Sequence, residues 1–175
     1  MARRLPPVDT TAHGGHAGAV KIYVMRHSDA VRPGTGVPDT YRYLTEHGRR
    51  KCREVGRLLR EAGVTFDAVC TSPLVRAVQT AELIADAVDY LGTVESNTVF
   101  APGTMPDVTC KALLQRGQSV LLVGHEPNMS SLAAFLAGTP GFAPFRTGQV
   151  SLFHRRKPMW KLHPDALQFE DLHAE

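Results

Sequence analysis

Short apolar runs of strand length alternate along this chain with stretches of helical periodicity. Residues 21–25 form an apolar run consistent with a buried strand. The loop at 28–43 follows, and Pro33, Gly34, Gly36 and Pro38 exclude a helix from its middle. Thr45 can cap a helix that ends at Gly63, with Leu44, Cys52, Val55, Leu58 and Leu59 forming an apolar stripe. A strand at about 68–71 precedes a helix over about 73–88, where Val75, Val78, Ala81, Leu83, Ile84 and Ala87 are available to a core. Residues 94–99 read as a short strand, 101–104 as a turn and 107–115 as a short helix. The most strongly apolar strand spans 119–123. The helix after Pro127 carries Met129, Leu132, Ala133, Phe135 and Leu136, and stops at Gly138. Residues 149–153 and 159–162 read as a terminal hairpin closed by Arg155-Arg156-Lys157-Pro158. This alternation predicts a three-layer α/β/α sandwich. Its central sheet is mostly parallel and covered on both faces, with antiparallel strands added at one edge.

The first 19 residues break the pattern. They hold Pro6-Pro7, Gly14-Gly15 and no periodicity, and read as a flexible tail before a single domain at 20–175. His13 and His16 on this Gly-rich segment are incidental. The full 175 residues amount to one domain's worth of chain. Twenty basic against seventeen acidic residues give a net charge of +3, too mild to argue for a nucleic-acid partner. No apolar stretch is long enough to cross a bilayer, so no membrane partner is expected. The basic Met1-Ala2-Arg3-Arg4 start lacks the apolar segment of a secretory signal. Cys52, Cys70 and Cys110 are odd in number and dispersed, as reduced and mostly buried thiols of a cytoplasmic protein would be.

The candidate chemistry lies where strands end. The first apolar run terminates in Arg26-His27, the second leads into Ser72-Pro73-Leu74-Val75-Arg76, and the third ends in Gly124-His125-Glu126-Pro127. Ligands of open α/β sheets bind beyond the carboxyl ends of the strands, so neighbouring strands would bring these groups to one crevice. A guanidinium offers a planar fork of donors that matches phosphate, and imidazole is readily kept neutral near pH 7. Taken singly, each arginine reads as a solvated surface residue and His125 as a packed or capping histidine. Together, at successive strand ends, they read as a phosphoryl-transfer site. His27 is the nucleophile, and Arg26, Arg76 and His125 hold the phosphoryl group. Ser28 is small enough to admit a phosphate and to donate its hydroxyl to it. Asp29 either orients His27 or, as the better reading, turns the loop. Trp160 and Tyr43 read as packing residues. No acidic cluster has metal-ligand spacing, so neither metal nor cofactor is expected.

Three motifs occur in a family's order. They are Arg26-His27 before a small residue, Ser72-Pro73-x-x-Arg76-Ala77-x-x-Thr80, and Gly124-His125-x-Pro127. The chain resembles the histidine phosphatase superfamily, a phosphoglycerate mutase-like fold, and within it the SixA-type phosphohistidine phosphatase branch. The segment Arg42-Tyr43-Leu44-Thr45-Glu46-His47-Gly48 resembles that branch's Arg-Pro-Leu-Thr-x-x-Gly, with Tyr43 at the usual proline. Ser28 stands where many members have glycine. The likeness covers about residues 21–163.

The resemblance implies a metal-independent phosphatase that passes through a phosphohistidine on His27, and it adds Arg42 as a further phosphate ligand. Its substrate would be a signalling protein carrying phosphohistidine or, alternatively, a small phosphorylated metabolite. An alternative of another class is a non-catalytic module that captures phosphorylated ligands. The mutase-like branch carries its acid in a long insertion after the second helix, and here that connection is short. Glu126 is then either a general acid, as its neighbour position to His125 suggests, or a helix cap, the favoured reading.

Overall fold

A computed structural model of the protein describes residues 20–172. The expected tail at 1–19 and the end at 173–175 lie outside the described residues. In chain order the elements are β1 (Lys21–Arg26), α1 (Glu46–Glu61), β2 (Ala68–Thr71), α2 (Val75–Ala87), β3 (Val94–Ser96), α3 (Pro106–Leu114), β4 (Ser119–Gly124), α4 (Asn128–Ala137), β5 (Val150–His154), β6 (Lys157–His163) and β7 (Gln168–Asp171). Short 3-10 turns stand at Asp39–Tyr41 and Thr98–Phe100. Seven strands build one sheet in the order β3-β2-β4-β1-β5-β6-β7. β1 to β4 run parallel, and β5, β6 and β7 are added antiparallel beyond β1. The predicted sandwich is the observed one.

Strand residues point alternately to opposite faces, and the apolar side chains divide accordingly. Tyr23 and Met25 of β1 join Leu121 and Val123 of β4 against Val55 and Leu59 of α1 and Ala77, Ala81 and Ile84 of α2. Ile22, Val24, Val120 and Leu122 face the other way, onto Leu113 of α3 and Met129, Leu132 and Leu136 of α4. Strands buried on both sides must be apolar at nearly every position, which is why β1 and β4 read as continuous runs. Thr45 caps α1 by accepting from the Gly48 amide at 3.0 Å, and α4 ends on Gly138 with φ 68°.

Three boundaries differ from the pattern. The terminal hairpin turns at Arg155 and Arg156 alone, both with positive φ (51° and 60°), as a tight two-residue reversal between twisted strands demands. Lys157 and Pro158 are therefore strand residues. β3 is cut short at Ser96 because the Asn97 side chain accepts from the Val99 amide and starts a 3-10 turn. β7 has no apolar alternation, only Phe169 among charged neighbours, and exists because β6 presents an open edge to it. Trp160 is buried as expected, against Tyr23 and Phe169, whereas Tyr43 is exposed and packs no core. Cys52 and Cys70 are buried and Cys110 half-buried, all unpaired. Burial pushes the thiols of Cys52 and Cys70 up to about 11 and about 12, so neither is a nucleophile.

Candidate active site

β2, β4 and β1 are neighbours, so their carboxyl ends meet at one edge of the sheet. His27 follows β1, Ser72 follows β2, and His125 follows β4. α1 leaves β1 toward one face and α4 leaves β4 toward the other, so a crevice opens between the two strands. Main-chain bonds fix its floor: the His27 amide donates to Gly124 at 2.9 Å and the Ser72 amide to Val123 at 3.0 Å. Arg76, in the first turn of α2, comes in from beside β2. His27, Arg76 and His125 are all buried, and the two imidazoles stand 5.0 Å apart between centroids.

The surroundings of His27 decide its tautomer. Its Nδ1 lies 2.7 Å from the Ser28 carbonyl oxygen, which can only accept, so Nδ1 carries the proton. Nε2 is left with its lone pair and faces the Nε–H of Arg76 at 3.3 Å. Desolvation, aided by the charges of Arg76, Arg26 and Arg42, lowers the His27 pKa to about 4 against the bond to Ser28. Desolvation likewise lowers His125 to about 3, with His27 and Arg76 adding to it. Both rings are neutral near pH 7. The ordinary value of 6.5 lies above both, so the unfolded chain takes up these protons more readily than the folded one. Stability present above pH 6.5 is lost as pH falls from there through about 4. We therefore expect the His27 ring to titrate near pH 4 by NMR in the free protein. Its midpoint should move upward with bound phosphate, because a dianion favours imidazolium. A free-protein midpoint at 6.5 would contradict the buried, cation-flanked site.

Two buried side-chain atoms at these strand ends have no hydrogen-bond partner among the described residues, Arg26 Nε and His125 Nδ1. Leaving such a group unpaired costs on the order of 1–3 kcal/mol, so both are suited to meet an added oxyanion. The Nη1 of Arg26 donates to the Phe145 carbonyl at 2.7 Å, which holds the guanidinium in place. His125 Nε2 shares a hydrogen bond of 2.8 Å with the Ser72 hydroxyl. Arg42 reaches the same region but donates to the Val31 carbonyl and to Asp39. No group of three or more His, Cys, Asp or Glu among the described residues is placed to hold a metal ion. No helix among them is long and apolar enough to cross a membrane.

A neutral, tautomer-fixed imidazole stands among arginines at the strand ends, in a chain whose motifs resemble one family. The family described as histidine phosphatase superfamily (branch 1) matches residues 22–98. An uncharacterised protein of Picosynechococcus is 32% identical over 126 residues, covering 67% of this chain and 73% of that protein. The chain belongs to the histidine phosphatase superfamily. The mitochondrial serine/threonine-protein phosphatase Pgam5 of Drosophila persimilis is 35% identical over 79 residues, 45% of this chain. That match spans 27% of the Pgam5 protein's own length. Among solved structures, the protein histidine phosphatase SixA complexed with tungstate superposes with a TM-score of 0.75 at 23% identity. It covers 85% of this chain and 100% of that one.

Within this superfamily member, several motif residues serve the frame around His27. Thr80 accepts from the Ser28 amide at 3.1 Å and donates to the Arg76 carbonyl at 2.7 Å, tying α2 to the end of β1. Gln79 accepts from the Leu44 amide at 2.8 Å. Ser28 is fully buried and its hydroxyl donates to the Gly48 carbonyl at 3.0 Å, so the structure does not bring it to the crevice as expected. Asp29 neither orients His27 nor makes a simple turn. Its carboxylate takes Lys51 at 2.7 Å and the Thr147 hydroxyl at 2.6 Å, and Lys51 also holds Asp165 at 2.8 Å. This cluster, centred on the buried Lys51, buttresses the loop behind His27.

Glu126 does not make the capping bond to α4 that was the favoured expectation. One carboxylate oxygen accepts from the Phe145 amide at 3.0 Å and the other from the Ser130 hydroxyl at 2.7 Å. It caps no backbone amide of α4, and both oxygens are engaged by groups that are not substrate. Because the same Phe145 accepts from Arg26 through its carbonyl, Glu126 positions Arg26 at one remove. Glu126→Gln is expected to lower stability by about 1 kcal/mol and to slow good and poor leaving groups by the same small factor. A loss confined to alkyl esters would assign it the acid role instead. The sequence reading missed Ser72 and Thr80 as contributors although both stand in its own motif, and it missed Asp39 altogether.

Proposed function

We propose that this protein is a metal-independent phosphatase that cleaves phosphohistidine in a partner protein by way of a phosphohistidine on its own His27. The carrying observation is the fixed tautomer of His27. With Nδ1–H committed to the Ser28 carbonyl, Nε2 is a neutral nucleophile whose lone pair faces the cation that would grip the incoming phosphoryl group. In this reading Nε2 attacks phosphorus and the bond to the leaving group breaks. Arg76, Arg26 and His125 offset charge on the equatorial oxygens, with Arg42 as a further ligand. Water then hydrolyses the intermediate, and phosphate leaves.

The connection from β3 to α3 is short, with a 3-10 turn, which supports a site roofed by few residues and suited to a protein side chain. SixA, whose name is that of a protein histidine phosphatase, and Pgam5, named a serine/threonine-protein phosphatase, both support a protein substrate. Tungstate in the SixA structure is a tetrahedral oxyanion like phosphate.

The test is a panel of a histidine-phosphorylated protein, a phosphoserine peptide, para-nitrophenyl phosphate and sugar phosphates, each with and without chelator. The phosphohistidine protein should give the highest kcat/KM, unaffected by chelation. Preference for a sugar phosphate would move the protein to the metabolite phosphomonoesterases. Binding of phosphorylated protein without turnover would make it a capture module.

A further inference from the structure

Asp39 opens the 3-10 turn Asp39–Tyr41, in the loop between β1 and α1. One carboxylate oxygen, Oδ1, accepts from Arg42 Nε at 2.9 Å and lies 2.7 Å from Nη2. The other, Oδ2, is 3.3 Å from Arg76 Nη2, while the Asp39 main-chain oxygen accepts from Arg76 Nη1 at 2.7 Å. The Nε of that same guanidinium faces the nucleophilic nitrogen of His27 at 3.3 Å. Arg76 thus spans from the nucleophile on one side to Asp39 on the other. Its side chain is only 6% exposed and that of Asp39 is 63% exposed, which puts the carboxylate on the solvent side of the cation cluster. The hydrogen bond from Arg42, aided by the charge of Arg76, holds the carboxyl below its usual range, so it is ionised near neutral pH.

A carboxylate is an unfavourable neighbour for a phosphate dianion, and an ionised one cannot protonate a departing alkoxide. Its place makes sense for a leaving group that is itself cationic. With the phosphoryl group on Arg76, the leaving group points outward, to the side where Asp39 stands. We propose that Asp39 is a specificity-determining residue whose carboxylate accepts the ring N–H of a departing imidazole, favouring phosphohistidine over phosphate esters. This inference rests on the phosphatase reading above.

The step balances without a general acid. The substrate ring is protonated on the nitrogen remote from phosphorus, and Asp39 accepts a hydrogen bond from that N–H, stabilising the imidazolium. The lone pair of His27 Nε2 forms a new P–N bond as the substrate's P–N bond breaks. The broken bond's electron pair stays on the ring, which departs as neutral imidazole with the proton it already carried. The same carboxylate repels anionic leaving groups such as sugar acids.

The experiment is kcat/KM for a histidine-phosphorylated protein and for para-nitrophenyl phosphate, measured in the wild type, Asp39→Asn and Asp39→Glu. Both substrates use the same phosphoryl grip, so any disturbance of Arg76 or Arg42 cancels in their ratio. The phosphohistidine-to-ester ratio should fall about tenfold or more in Asp39→Asn, as expected for a lost charge-assisted bond, and recover in Asp39→Glu. Equal losses on both substrates, or a ratio that holds or rises, would overturn the proposal and leave Asp39 as a support for the arginines. A wild-type protein that cleaves the ester and spares phosphohistidine would instead remove the phosphohistidine reading, and this proposal with it.

Discussion

His27→Ala is expected to stop turnover on every substrate and to abolish the phosphoenzyme. The residue is held between the Gly124 carbonyl, which fixes its main chain, and the Ser28 carbonyl, which fixes its ring. Among the imidazoles and thiols of the described residues, His27 presents an unprotonated nitrogen to Arg76, whereas the His125 Nε2 is engaged by Ser72 and the buried thiols are pushed up by desolvation. The arginines alone would retain phosphate binding, so the variant should still bind vanadate while kcat falls on the order of 10⁴-fold or more. Rapid quenching with a radiolabelled substrate checks the assignment. The wild type should trap an acid-labile phosphoramidate at His27, and label on any other residue would displace it. Arg76→Ala should also be slow, on the order of hundredfold or more, and should lose vanadate binding as well.

The second large effect is structural and lies directly behind His27. Gly48, in the first turn of α1, faces the backbone of Asp29 so closely that a Cβ would collide with the Asp29 carbonyl and crowd its amide. Both sides of that contact are main chain, so neither can rotate away. Helix propensity alone favours alanine over glycine by about 1 kcal/mol. The collision outweighs it, and Gly48→Ala should lose about 2 kcal/mol or more of net stability, as overpacked sites do. Activity should fall too, because the Gly48 carbonyl is the acceptor for Ser28, next to His27. Urea denaturation checks this, with the midpoint dropping at constant slope. Gly141→Ala is the control: its Cβ would meet nothing within 4 Å, and it should stay within about 0.5 kcal/mol of the wild type. A Gly48→Ala protein as stable as the wild type would show that α1 can move away from the loop at no cost.

Much of the site was legible before any coordinates because its main groups are attached to strong local signals. β1 and β4 are continuous apolar runs, since burial on both faces forbids polar side chains there, and the residue after such a run is placed by the core. That logic alone put His27 and His125 at strand ends, and a Ser-Pro turn before a helix put Arg76 beside them. The helices were legible for the same reason, with errors of one or two residues where caps and 3-10 turns decide the ends. Motif order then supplied the family.

Hydrophobic periodicity is a property of near neighbours in the chain, and it fixed the elements, their apolar faces and the strand ends. What lay beyond it depends on partners that the sequence does not bring together. Asp39 reaches Arg76 across 37 positions, the Ser28 hydroxyl turns to Gly48 across 20, and Glu126 is taken by the Phe145 amide across 19. A polar side chain reads the same in sequence whether it faces a substrate or a distant carbonyl, so Ser28 was legible as a residue and misread in role, and Glu126 was favoured as a cap that it does not form. β7 is the extreme case, a charged segment made into a strand by the unpaired edge of β6. The sequence by itself determined that His27 and His125 stand at strand ends with Arg76 beside them. Only the tertiary structure decided which side chains face the crevice, because a hydrogen bond is settled by the distance and angle between two groups and not by either residue alone.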